Sequence, residues 1–183
     1  MMKPHRPQHD SATASSGATG PAGELLTRTI EQLDARGIPD EALGVMKPAH
    51  RILGLMRPAV IVPAGRAWRL GVLLIDRNGQ LYATGMVTRA ITPKRGVADH
   101  SLIADARRED QRAAVRGSFA EGEVVNFGYS PIPLDEDSLR AGGGLLSMNG
   151  TTLTVRWDTS GAGRGSAPLE AYLAERIGLL END

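Results

Sequence analysis

The chemistry open to this chain is mostly that of arginine. Eighteen of its 21 basic residues are arginine, whose planar guanidinium grips carboxylate and phosphate oxygens in pairs where lysine offers only a point charge. GC-rich coding produces the same bias, so position has to decide. Arg66, Trp68, Arg69 and Arg89 gather at one end of an expected hairpin whose register sets Arg89 across from Trp68, within reach of a cation–π contact. These four residues are the candidate ligand-binding set. They suit an anionic small molecule or a protein partner, and they would equally serve as a structural cap on the sheet end.

Other constellations are thinner. Arg108, Arg112 and Arg116 recur at i, i+4 and i+8, a stripe able to grip phosphates, yet Asp105, Glu109 and Asp110 sit at helical pairing distance and make a solvated ion-pair face the simpler reading. The run Ser160-Gly161-Ala162-Gly163-Arg164-Gly165-Ser166 lies between a strand and a helix, where phosphate cradles occur. It lacks the lysine of a Walker A loop and the following strand of a dinucleotide fold, so it reads as a linker. His50 and His100 are isolated, and His5 and His9 fall in a low-complexity stretch. With no cysteine there is no thiol nucleophile, disulfide or thiolate site, and no metal or cofactor is expected. Asp76, Asp99, Asp135, Glu136, Asp137 and Asp158 stand at element ends, but no spacing singles out an acid/base pair.

These side chains need elements to hold them. Residues 1–20 are rich in Ser, Thr, Ala, Gly, Pro and Gln without apolar periodicity, which reads as a disordered tail; residues 21–183 read as one globular domain. Leu26, Ile30 and Leu33 predict a helix over 23–36 ended by Gly37. Pro39, Asp40 and Glu41 open a second helix toward Arg57, its face marked by Val45, Ala49, Ile52, Leu53 and Met56, with a kink or break near Lys47 because of Pro48. Val60 to Val62 is a short strand closed by Pro63.

Asn78-Gly79 predicts a hairpin between 68–76 and 81–91, with Ile75 opposite Tyr82 and Leu73 opposite Thr84. Asp99 caps a helix to Arg116 ended by Gly117, and 123–129 alternates as a strand broken at Ser130-Pro131. Residues 135–140 make at most a helical turn. Asn149-Gly150 predicts a second hairpin that pairs Leu146 with Leu153 and Gly142 with Trp157. Pro168 opens a last helix with Leu169, Leu173 and Ile177 on one face and Tyr172 nearby. The fold class is α+β: a mainly antiparallel sheet of five or six strands, flat or curled, with about four helices.

The 183 residues carry balanced charge, 21 basic against 21 acidic, but unevenly. Residues 36–95 hold a surplus of seven positive charges and 121–183 a surplus of six negative ones, the pattern of a basic face or of two halves that neutralise each other. Leu70 to Ile75 is the longest apolar stretch, far short of a membrane span. No apolar segment follows Lys3 and Arg6 as a secretion signal requires, so the expectation is a cytoplasmic protein without a membrane partner. The function read from this is a binding or interaction domain, the alternative being an enzyme on a phosphorylated or carboxylated metabolite with arginine clamps and a carboxylate base. A nucleic-acid partner ranks below both, because aromatics are only 4% of the chain and stacking platforms need them.

Overall fold

The computed structural model describes residues 20–93, 101–157 and 165–181; the expected tail, apart from Gly20, lies outside them, as do Asp99, His100, Asp158 and most of the glycine-rich run. Four helices, α1 (Pro21–Ala35), α2 (Leu102–Arg116), α3 (Glu136–Ala141) and α4 (Leu169–Leu180), accompany a main sheet. Its strands are β1 (Glu41–Lys47), β4 (Val60–Leu70), β5 (Leu73–Asp76), β6 (Leu81–Ala83), β7 (Met86–Arg89), β8 (Val124–Phe127) and β9 (Ser130–Pro131). Between β1 and β4 stand β2 (His50–Ile52) and β3 (Leu55–Arg57), and a three-stranded sheet is made by β10 (Leu146–Asn149), β11 (Thr152–Arg156) and β12 (Ser166–Pro168).

The main sheet runs β7-β8-β1-β4-β5-β6-β9 and is antiparallel except for β1 beside β8. Its two ends are not free. Only Thr84-Gly85 separates β6 from β7, and only Gly128-Tyr129 separates β8 from β9. The ladders on either side keep one register, Ala83 facing Ser130 and Met86 facing Phe127. Thus β6–β7 and β8–β9 are two long bent strands, and the sheet closes on itself as a barrel of five. At the bend a Cβ on Gly85 would sit 2.3 Å from the Gly128 carbonyl oxygen, so the crossing admits backbone only.

The inner and outer faces follow from the pairing. Leu43, Ala67 and Leu74 cluster inside with Tyr82 and Tyr129. On the outer face, Trp68, Leu70, Leu73, Ile75 and Leu81 pack with Leu26 and Leu33 of α1, with Tyr172, Leu173 and Ile177 of α4, and with Leu146 and Val155 of the small sheet. Further round, Ala42, Ile61, Val125 and Phe127 pack against Ala113 and Ala114 of α2. The expected stripe Leu169, Leu173 and Ile177 is buried as a unit.

The helix expected from Pro39 to Arg57 is instead a hairpin. Val45, Ile52, Leu53 and Met56, read as one helical face, are all exposed. The segment gains more by pairing β1 with β4 over Glu41 to Lys47, and Pro48 cannot sit inside a helix without losing a hydrogen bond. Nor does Pro63 end the next strand: β4 continues to Leu70 because a bulge leaves Ala64 unpaired, between Leu43↔Gly65 and Gly44↔Pro63.

The run 68–76 is two strands. It reverses after Leu70, where Tyr172 of α4 takes the Val72 N–H at 2.9 Å and donates to the Leu70 carbonyl at 3.1 Å. Trp68 therefore faces Ile75, and Arg89 faces Val124, not Trp68.

At the next turn Ile75 pairs with Leu81 rather than Tyr82. The loop has three residues, Arg77-Asn78-Gly79, with Gly79 left-handed at φ +79°, a common hairpin form with a bulge. Asp76 Oδ1 fixes it by accepting the Asn78 and Gln80 N–H groups, each at 2.9 Å. The one-residue slip exchanges faces, sending Ile75 outward and Tyr82 inward. In the small sheet Leu146 pairs with Val155, not Leu153, and Gly142 ends α3 instead of facing Trp157.

Gly85→Ala forces the two bent strands apart and should cost about 3 kcal/mol of unfolding free energy. Gly143→Ala, where the added methyl meets nothing within 4 Å, should change it by less than about 0.5 kcal/mol. Urea denaturation of both variants checks this.

Candidate functional site

The sheet end proposed to bind anions is dominated by paired charges. Strand β4 brings Arg66 beside the loop that follows α1. Its Nε donates to Asp40 Oδ1 at 2.5 Å, its Nη2 to the Asp40 carbonyl at 2.8 Å and its Nη1 to Glu123 Oε1 at 2.6 Å. The β5–β6 turn supplies Arg77, which donates to Asp34 at 2.8 Å and to Asp40 Oδ2 at 3.2 Å. Asp40 thus bridges two guanidinium groups from different parts of the chain. Burial pushes its carboxyl up, but the hydrogen bonds and charges of Arg66 and Arg77 outweigh that and hold it below the usual carboxylate range. Arg66, with a smaller opposing effect of burial, does the same for Glu123.

The four expected site residues do not converge. Trp68 is fully buried, donates its indole N–H to the Ile38 carbonyl at 2.8 Å, and carries Arg77, not Arg89, over its ring at 4.6 Å. Arg69 lies on the opposite, inner face, where Nη1 donates to Asn126 Oδ1. Arg89 sits on β7, with β8 and β1 between it and β4, and reaches the Gly122 carbonyl at 3.2 Å. Arg156 on β11 donates to the Gly144 carbonyl at 3.3 Å. The stripe on α2 is paired as its spacing implied: Arg108 with Asp105, and Arg112 and Arg116 with Glu109. His50 is exposed, its Nδ1 3.2 Å from the Pro48 carbonyl oxygen.

A cavity of about 330 Å³ opens beside the network, lined by Leu43, Ala64, Gly65, Arg66, Asp76, Arg77 and Asn78. Its one carboxylate, Asp76, caps the turn and accepts the Tyr82 hydroxyl at 3.1 Å. Burial, with the Asp76 charge and hydrogen bond, pushes the Tyr82 phenol up to about 12, so it stays protonated at neutral pH. Arg77 and Asp40 were missed from sequence because one looks like a turn residue and the other like a helix start. The signal present was Asp76-Arg77-Asn78-Gly79 itself, a turn carrying a long cation. Among the described residues no group of three His, Asp or Glu side chains could hold a metal ion.

With this geometry in hand, comparison with known proteins returned nothing: no family model, curated protein or solved structure matches the chain.

A carboxyl depressed in the folded state stabilises above its unfolded pKa, and that stability is lost as pH falls through the folded value. Asp40→Asn should therefore lower unfolding free energy by about 1 kcal/mol at neutral pH. The deficit should close as the pH drops below about 4. Denaturation of both proteins across that range measures it.

Proposed function

We propose that this chain is a non-catalytic interaction protein whose contact element is the arm formed by β2 and β3. The arm extends the β1–β4 ribbon. Lys47 faces Val60 and His50 faces Arg57, one continuous register through a neck of Pro48-Ala49 and Pro58-Ala59. It turns at Leu53-Gly54, both left-handed at φ 49° and 82°, the torsions of a two-residue hairpin turn. The observation that carries the reading is what the arm displays. Leu53 is 98% exposed, Leu55 74% and Met56 62%, with Ile52 beside them, a grouping that folding leaves without a partner.

The charges point the same way. Ion pairs already occupy the guanidinium groups of Arg66 and Arg77, so an anion in the neighbouring cavity would have to displace carboxylates. Lys47, Arg51 and Arg57 are exposed, and none forms an ion pair among the described residues. Within residues 36–93, Arg36, Arg66 and Arg77 are ion-paired, while these three cations of the arm and its neck are not. Among the described residues an enzymatic reading draws support from the cavity, whose single carboxylate is engaged in holding a turn. A reducing, cytoplasmic setting accompanies this reading, as the lack of cysteine suits.

A photoreactive residue placed at Leu53 should form adducts in the producing cell, and one placed at exposed Arg28 on α1 should not. Equal yields, or none at Leu53, would remove the arm from the account.

A further inference from the structure

We infer that the arm is a peripheral membrane anchor that seats its tip in an anionic bilayer surface, a reading that rests on the arm being the contact element. Exposed apolar side chains stand on both faces of the arm, not on one alone. The cross-strand pairs put His50, Ile52, Leu55 and Arg57 on one face and Arg51 and Met56 on the other. The first face is apolar at Ile52 and Leu55 by the turn and basic at His50 and Arg57 by the neck, while on the second Arg51 and Met56 stand side by side at one level. A groove on a protein would select one face, whereas a bilayer surrounds the tip and meets both.

The dimensions agree. The Ile52–Leu55 pair stands two residues beyond His50–Arg57, about 7 Å along a strand. Side chains at the first level would therefore reach the acyl boundary, roughly 5–10 Å deep, while the second level stays among the headgroups. Arg51 and Arg57, one and two residues below the tip pair and lacking carboxylate partners among the described residues, would meet anionic headgroups there, with Lys47 three residues further down the ribbon.

The side-chain types fit a fluid medium better than a shaped socket. The tip is Ile, Leu, Leu and Met, without the Trp or Tyr anchors that dominate protein hot spots. Aliphatic burial in lipid asks for no complementary pocket. Among the described residues no helix is long and apolar enough to cross a membrane, so the contact is interfacial.

The experiment is cosedimentation of the full chain with phosphatidylcholine vesicles, with and without phosphatidylserine. Binding is expected only to the anionic vesicles and should weaken with added salt. The Leu53→Glu/Leu55→Glu variant should lose at least about tenfold in partition, and Arg51→Ala or Arg57→Ala about fivefold each. The arm lies outside the buried clusters, so all variants should keep the parent melting temperature. Absence of binding to anionic vesicles, or undiminished binding by the double glutamate variant, overturns the proposal. Retention on duplex DNA or on an acidic polypeptide in place of vesicles overturns it too. Arm-dependent adducts at Leu53 without vesicle binding would sink the membrane assignment and leave the interaction reading standing.

Discussion

Where β6 passes into β7 and β8 into β9, two backbones touch with no side chain between them. Gly85 lies against the Gly128 carbonyl, and the two strands keep their register through that point. Every other feature of the barrel presupposes this contact. It turns a sheet with two unpaired edges into a ring, and unpaired edges invite pairing with other chains. It also explains how Leu74 and Asn126 are fully buried on a face that the helices do not cover. A ring this small has room for few side chains, and those inside are a mixture of aliphatic, aromatic and hydrogen-bonded polar groups.

Around that ring, polar atoms are spent on holding loops in place. Tyr172 reaches from α4 to tie the β4–β5 turn, Asp76 ties the β5–β6 turn, and Asp40 ties the loop after α1 to strand β4 and to the β5–β6 turn. Each arrangement satisfies backbone donors or charges that would otherwise be lost to burial. The same thrift separates the two surfaces considered for function. Near the cavity, charges close on one another, while on the arm they stand open beside apolar side chains that no described residue covers.

How much of this was legible beforehand depended on the range of the forces involved. Leu26 and Leu33, or Leu169, Leu173 and Ile177, could be read from spacing because a helix buries its face by local geometry. Both Asn-Gly turns marked real reversals, since glycine's left-handed torsion is a local property. Their registers were another matter: in the first, Asp76 draws in the Gln80 N–H and every pair moves by one, and in the second the turn falls at Gly150-Thr151 and Leu146 meets Val155, two residues beyond Leu153. Residues 41–57 misled because Val45, Ala49, Ile52 and Met56 satisfy a helical period while strand β4 supplies a better partner from a distance. The four residues of the candidate site do not meet, for the same reason. Trp68 and Arg89 were joined through a register that the reversal at Leu70 cancels, and Asp40, Glu123 and Arg77 are gathered around Arg66 only by the lateral pairing of β8, β1, β4 and β5.

Five is an odd number, and strands that alternate direction round a closed ring cannot all be antiparallel. One neighbouring pair must run the same way, and that pair is β1 with β8, matched over only Ala42–Val125, Leu43–Asn126 and Gly44–Phe127. Asn126 reinforces it from within, its amide donating to Glu41 at 2.7 Å and its carbonyl accepting from Arg69. Parallel ladders hold slightly less well per residue. The ring therefore carries a seam between the antiparallel β1–β4 and β7–β8 ladders, and Asn126 is the side chain that stitches it.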